Sequence, residues 1–269
     1  MHLNKVLLIV FLFAFYAVPS HAQTTATSPE QQLAALQEQA EQGDVGAQYS
    51  LGDIYFMGQA AKQDFVEAAK WYRKAADQGY AVAQYNLGVF YDQGLGVKQD
   101  YEAAVEWYRK AADGGFGAAQ NNLGIHYRDG QGVKQDYAES TKWLLKAADQ
   151  GYAVSQYCLG EFYRNGLGVK KDLTEATSWY RKAAAQGNIE AQYALGNLYA
   201  NGGGPAKNPQ GAYFWLSLAA RSGNKDYAIA RDKAAKSLTP EQITSVEKKL
   251  EEWKPVLKAM PPPKPVSKK

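Results

Sequence analysis

The sequence predicts an all-α fold, a solenoid of five helix pairs that repeat every 36 residues. One observation is the phrase WYRKAADQGYAVAQYNLG at residue 71, which returns in close variants at 107, 143 and 179. Another is that apolar spacing, helix caps and glycine stops recur in the same order within each copy. Self-similarity at a fixed period is typical of arrays in which each unit buries its apolar faces against its neighbours.

Each repeat carries the same landmarks in the same order: a glutamine, a Leu-Gly pair, a tyrosine, a tryptophan and a turn glycine. In this register five units cover residues 45–224. We predict that the tryptophans stabilise the stacking of neighbouring units. They are Trp71, Trp107, Trp143, Trp179 and Trp215.

The pattern within a unit predicts two helices. In the first, Ala47, Leu51 and Tyr55 share a face at helical spacing. A glycine ends it, because glycine readily adopts the left-handed conformation of a helix end. The second helix starts at an N-cap residue, namely Asp64, Asp100, Asp136, Asp172 or Asn208. In three units a glutamate three residues later completes a capping-box pattern: Glu67, Glu139 and Glu175.

The Leu-Gly pair lies inside the first helix, as at Leu87-Gly88. Glycine in a helix interior costs roughly 0.5–1 kcal/mol relative to alanine, and the sequence accepts this cost in every unit. We predict that the missing side chain lets a bulky neighbour, the recurrent tryptophan or a tyrosine, press against the helix backbone.

Capping helices are predicted on both sides of the repeats. Ser28-Pro29-Glu30-Gln31 and Thr239-Pro240-Glu241-Gln242 each combine an N-cap, a proline at the first helical position and a capping-box glutamine. They indicate an N-terminal capping helix over 30–44, after a linker at 23–29, and C-terminal capping helices over 225–253. Residues 254–269, rich in proline and lysine, are predicted to be a disordered basic tail.

The first 22 residues have the pattern of a secretory signal peptide. Lys5 precedes an apolar run from Val6 to Val18, and Ser20 and Ala22 are small residues at the third and first positions before a cleavage site. The run is shorter than the ~20 apolar residues that a membrane helix needs. We therefore expect cleavage after Ala22, a periplasmic or secreted protein, and no transmembrane segment.

The composition argues against several classes of function. A formal charge of +3 is too small to indicate nucleic acid as a partner. Outside the leader, His126 and Cys158 are the only histidine and cysteine, so the ligands of a usual zinc site are missing. His126 stands where other units have apolar residues, which predicts a packed side chain, and Cys158 stands at a variable position that we expect at the surface. The spacing leaves a catalytic dyad of Cys158 and His126 possible, but the sequence offers no third residue that would orient the pair. We predict no catalytic residue, metal or cofactor.

The repeats follow the pattern A-x-Q-Y-x-L-G-x-x-Y-x-x-G, then G-x-G-V-x-x-D, then E-A-x-x-W-Y-R-K-A-A-x-Q-G. In these motifs, over residues 45–224, the sequence resembles the Sel-one-like repeat family, a branch of the tetratricopeptide-like helical repeat proteins. The resemblance implies a right-handed superhelix of helix pairs that binds other proteins as an adaptor.

Residues that recur in every unit are expected to hold the scaffold, so those that vary are free to bind a partner. On the first helices, the varying residues opposite the packing stripe line up along one surface, which the resemblance implies is concave. We expect Phe56, Val89 and Ile125 to form its apolar floor, and Arg128 and Arg164 to anchor a partner by hydrogen bonds. This surface, the variable face, is predicted to consist of Tyr49, Asp53, Phe56, Tyr85, Val89, Asp92, Asn121, Ile125, Arg128, Tyr157, Glu161, Arg164, Tyr193 and Asn197.

The sequence thus predicts an exported, monomeric, non-enzymatic adaptor that binds a protein or peptide in the cell envelope. The alternative is an enzyme or binder directed at cell-wall or β-lactam ligands, which the resemblance to a cysteine-rich secreted branch of the family suggests. Ser222 and Lys225 match the S-x-x-K pattern of penicillin-recognising enzymes, but the S-D-N and K-T-G partners and the paired cysteines are absent from the sequence. A third possibility is a secreted factor that recognises a host protein.

Export is directly testable. When the full-length gene product is expressed in a bacterial host, fractionation followed by mass spectrometry of the N-terminus should find a mature chain that begins near Gln23 outside the cytoplasm. A cytosolic protein that retains Met1 would contradict both the leader and the envelope location.

Overall fold

The computed structural model describes residues 28–203 and 206–256, and these residues form thirteen α-helices. The predicted signal peptide, most of the predicted linker and all but the first residues of the predicted tail lie outside the described ranges. Consecutive helices pack against one another from the first to the twelfth, and the thirteenth helix packs against the eleventh. The prediction of an all-α solenoid with capping helices is confirmed.

Each of the five units contributes two helices, and three further helices flank them. The first helices are α2 Val45–Met57, α4 Ala81–Gln93, α6 Gly117–Asp129, α8 Ala153–Asn165 and α10 Ile189–Asn201. The second helices are α3 Phe65–Asp77, α5 Tyr101–Asp113, α7 Tyr137–Asp149, α9 Leu173–Ala185 and α11 Pro209–Ala220. The flanking helices are α1 Pro29–Glu41, α12 Lys225–Ala235 and α13 Pro240–Glu252.

The helix ends follow the local chemistry of the sequence. Gly58 ends α2 with φ of 71°. The corresponding glycine ends each of the four remaining first helices in the same left-handed conformation. At the start of α3, the Asp64 carboxylate accepts hydrogen bonds from the N–H groups of Val66 and Glu67.

The predicted capping boxes form only in the flanking helices. Ser28 and Gln31 at α1, like Thr239 and Gln242 at α13, cap each other reciprocally. Within the repeats, the carboxylate of Glu139 instead meets the Lys142 ammonium at 2.7 Å, and Glu67 is paired in the same way. The aspartate at the N-cap accepts the backbone N–H groups without help, so the glutamate is free to pair with the lysine three residues ahead.

The glycine of each Leu-Gly pair is where the two helices of a unit come closest. A Cβ on Gly88 would lie 2.7 Å from two carbons of the Tyr108 ring, and Gly52 and Gly160 meet a tyrosine in the same way. Gly124 faces Leu144 instead. The predicted close approach is confirmed, and the neighbour is the residue that follows the recurrent tryptophan, not the tryptophan itself.

The tryptophan lies at the joint between units. Trp107 is 4% exposed and packs with Ala75, Ala76 and Leu87. The guanidinium carbon of Arg73, from the preceding unit, lies 4.9 Å from the centre of the Trp107 ring. The Lys110 ammonium lies 3.7 Å from the centre of the same ring. Apolar burial and cation–π attraction therefore act on the same side chain.

Glutamines clasp successive units together. Gln48 donates from Nε2 to the carbonyl of Ala40, 3.0 Å away, and its Oε1 accepts from Nε2 of Gln78 at 2.8 Å. Gln78 also donates to the carbonyl of Gly43. The same pair of glutamines forms at two other joints, but Gly114 stands where the second glutamine would be at the joint of units one and two.

Gly88→Ala should lower the free energy of unfolding by about 1–3 kcal/mol, because the new methyl group overlaps the Tyr108 ring in a packed core. The gain in helix propensity, about 0.5–1 kcal/mol, is smaller than this clash. Chemical denaturation monitored by circular dichroism measures the difference. A variant as stable as the parent would show that the close approach relaxes at no cost.

Gly114→Gln provides the opposite case. Gly114 has φ of −71° and ψ of −2°, which any residue adopts. The new amide can donate to Gln84 and to the carbonyl of Gly79, as at the other joints. We expect a gain of about 1–2 kcal/mol from the hydrogen bond and from the lower entropy of the unfolded chain. An unchanged or lower stability in the same denaturation experiment would mean that the clasp contributes nothing.

Candidate partner-binding face

The variable face is partly accessible in four units and closed in the second. Tyr85, Val89 and Asp92 are only 2%, 5% and 7% exposed. The other residues of the face are partly exposed. The expectation that Val89 contributes to an apolar floor therefore fails, because its side chain packs with Val82 and Val105 in the interior.

The second unit is closed by Phe116, its last residue, and by a contact with the third unit. The ring of Tyr85 packs against Phe116 with the ring centres 5.2 Å apart. Asp92 Oδ1 lies 3.4 Å from Nε2 of His126, whose Nδ1 is 2.9 Å from the carbonyl oxygen of Gln131. The predicted packing of His126 is confirmed, since the residue is 4% exposed. Asp92 is thus buried against His126 and not open to a partner.

In the first unit, the polar and apolar residues of the face are both tied to the core. The hydroxyl of Tyr72 donates to Asp53 Oδ1 at 2.6 Å. Burial raises the pKa of the Asp53 carboxyl, although its hydrogen bonds to Tyr72 and Tyr49 act in the opposite direction. Phe56 packs against Phe90, with the ring centres 5.7 Å apart. Asp53 and Phe56 are therefore only partly exposed.

The fourth unit presents a held but accessible arginine. The Tyr180 hydroxyl donates to Glu161 Oε1, and Nη2 of Arg164 lies 2.7 Å from Oε2 of the same carboxylate. Burial raises the pKa of Tyr180, and Glu161 raises it further, so the phenol stays protonated as a donor. The Arg164 side chain is 43% exposed. Glu161 thus orients the guanidinium of Arg164, and the exposed part of that side chain is accessible to a partner.

Arg128, which the sequence pairs with Arg164, is more enclosed. Its Nε and Nη2 atoms lie 2.7 and 2.9 Å from the two carboxylate oxygens of Asp129, and its Nη1 lies 3.2 Å from the sulfur of Cys158. The side chain is 25% exposed. The two predicted anchors are therefore unequal, and Arg164 is the one that a partner reaches more easily.

Cys158 is buried, and the prediction of a surface position is wrong. It is 2% exposed and packs with Leu144, Leu159 and Phe162. Burial raises the pKa of its thiol, although the neighbouring Arg128 acts in the opposite direction. The raised pKa disfavours the reactive thiolate. The side chain lies against the preceding unit. Variation of the residue type among the repeats does not indicate whether a neighbouring unit covers the position. His126 and Cys158 have different partners, so no dyad is observed.

The fifth unit adds features that the sequence reasoning missed. Tyr193 stacks on Tyr227 of α12, with the ring centres 4.3 Å apart. Asn197 borders a cavity of about 270 Å³ between α10, α11 and α12, whose lining includes Lys207 and Lys233. The signal in the sequence for this cavity was a set of small residues at positions where other units have large ones.

In the described ranges, no three or more His, Cys, Asp and Glu side chains gather closely enough to hold a metal ion. None of the helices within those ranges combines the length and apolar character needed to cross a membrane.

Comparisons with known proteins agree with the repeat pattern. The Sel1 repeat model matches residues 45–80, 81–116, 117–152, 153–188 and 189–224. A search of the curated proteins found no match. A protective antigen of uropathogenic Escherichia coli, with an SLR fold, is 40% identical with a TM-score of 0.73 over 82% of this chain. The match covers 48% of that antigen, so this chain spans about half its length.

A second solved structure, a Sel1 repeat protein from Oxalobacter formigenes, is 32% identical with a TM-score of 0.68. The match covers 83% of this chain and 93% of that one. Sel1 repeat proteins generally mediate protein–protein interaction, and their repeats typically serve as a non-catalytic scaffold. With five consecutive matched repeats and two similar solved structures, the chain belongs to the Sel1 repeat family.

Proposed function

We propose that this protein is an exported, non-enzymatic adaptor that binds a protein or peptide in the cell envelope through the variable face. The observation that carries the proposal is the division of each first helix. The recurring glutamine, leucine and glycine are buried in every unit, whereas the residues of the variable face are partly exposed in every unit except the second. Accessible residues that the scaffold does not constrain are those that a partner can contact.

The more exposed of the two arginines of the variable face, Arg164, lies in the fourth unit, and every residue of the face in the fourth and fifth units is partly exposed. Tyr157, Glu161 and Arg164 lie on α8, and Tyr193 and Asn197 follow on α10. Tyrosine and arginine are enriched where proteins bind one another. We therefore place the centre of the partner's contact here, and leave Tyr85, Val89 and Asp92 out of it because they are buried.

Location in the envelope rests on the leader. A basic start, an apolar run and small residues before Gln23 favour export with cleavage after Ala22. A folded, monomeric solenoid released into the periplasm or beyond then meets envelope proteins as its partners.

Arg164→Ala should weaken partner binding by about 2 kcal/mol, as expected when a central arginine is removed from an interface. Its effect on stability should stay below about 0.5 kcal/mol, because the side chain is exposed at the surface. The partner is first recovered by crosslinking and pull-down from an envelope extract and then titrated against the purified variant by calorimetry.

Lys142→Ala is the matched control. Lys142 forms an ion pair with Glu139 at 2.7 Å and the same helical spacing as Arg164 with Glu161, but it lies on a second helix. We expect it to bind the partner like the parent. If both variants bind equally well, the contact surface lies elsewhere.

A further inference from the structure

The cavity in the fifth unit has a physical origin in the repeat itself. Where units one and two meet, Phe56, Phe65 and Phe90 form a packed triad, with ring centres 5.7, 5.8 and 6.4 Å apart. These residues come from the end of a first helix, the start of the second, and the first helix of the next unit. The three aromatic rings fill the space between the helices.

The same three positions also hold side chains larger than alanine in the next three units. They are Asp92, Tyr101 and His126, then Arg128, Tyr137 and Phe162, then Arg164, Leu173 and Leu198. Ring contacts recur there, since Tyr137 meets Phe162 edge-on with the ring centres 5.6 Å apart.

In the fifth unit the same three positions are Ala200, Pro209 and Ala234, and all three line the cavity. The α12 helix, which takes the place of a sixth first helix, thus leaves the triad site without a large side chain. The opening of about 270 Å³ therefore lies at the positions where earlier units carry larger residues.

The lining of the cavity combines an apolar floor with a basic rim. Leu216 and Ala212 are almost completely buried at its base. Lys207 and Lys233 are exposed and belong to the lining, and none of the described residues that line the cavity is acidic. A ligand that fits must present an apolar group to the floor and negative charge to the rim.

We infer that this cavity binds an aromatic side chain of the partner, flanked by an acidic residue. The first unit shows that a phenyl ring packs at these repeat positions. Aromatic side chains also bury a large surface area each when they bind. The two lysines select a carboxylate beside the ring. This inference rests on the proposed function and adds the chemistry of the peptide, since the cavity borders Asn197 of the variable face.

The test uses the mature protein and a fluorescein-labelled peptide, Gly-Ser-Asp-Phe-Asp-Ser-Gly, in fluorescence anisotropy. We expect saturable binding that weakens at least about tenfold when Phe is replaced by Ala, or when both Asp are replaced by Lys. Ala234→Phe restores the ring of the earlier units and should abolish binding. A thermal melt by circular dichroism checks that this variant folds.

Lys233→Glu keeps the inference falsifiable if Ala234→Phe does not fold. Its matched control is Lys236→Glu, an equal change of charge just beyond α12, outside the lining. Lys233→Glu should weaken the peptide about tenfold and Lys236→Glu should have little effect. Equal weakening by the two would show attraction by net charge only and would overturn the site.

Two further outcomes would also overturn the inference. One is that the peptide fails to bind the parent protein. The other is that the protein dimerises, as measured by sedimentation, and Ala234→Phe dissociates the dimer, which would make a second copy the occupant. Neither result decides the proposed function, because loss of the envelope partner in Arg164→Ala is measured separately, on a different unit.

Discussion

The close approach of the two helices in each unit, at a glycine without a side chain, is the constraint on which the array depends. At Gly88 the Tyr108 ring occupies the volume that any Cβ would need. This contact sets the spacing of the helix pair, and that spacing places the tryptophan and the glutamines against the next unit. Because a solenoid has only neighbour contacts, the same local geometry must hold in every unit.

That constraint also determines what the chain is free to vary. The side of the first helix that carries the Leu-Gly pair is fixed by packing, so sequence differences collect on the other side. The fixed side in turn supports the variable one. Tyr180, packed at Gly160, holds Glu161 from below, and Glu161 orients Arg164. A preorganised arginine loses less entropy on binding than a free one. Scaffold and candidate interface are thus coupled through single side chains.

The fold was predictable because its signals are local and repeated. The glycine stops, aspartate caps and Leu-Gly pairs each act within a few residues, and their period indicates stacking. The depth of a side chain was less predictable. Helical spacing gives the direction of Cys158 or Val89 on its own helix, but the adjacent unit determines whether that direction ends in solvent or in the core. His126 was placed correctly because its equivalents are all apolar. The equivalents of Cys158 are small or polar, and they gave no such indication.

Interruption of the repeat is the more informative feature for function. Replacing a buried phenylalanine by alanine in a core costs about 3–5 kcal/mol when the space stays empty. At the triad site of the fifth unit the chain forgoes packing of this kind, with Ala200, Pro209 and Ala234 together, while the flanking helix α13 still buries Leu250 and Val246 against the array. The end of the solenoid is therefore closed by this helix without filling the cavity. The packing free energy that earlier units gain from their own side chains remains available here to a ligand.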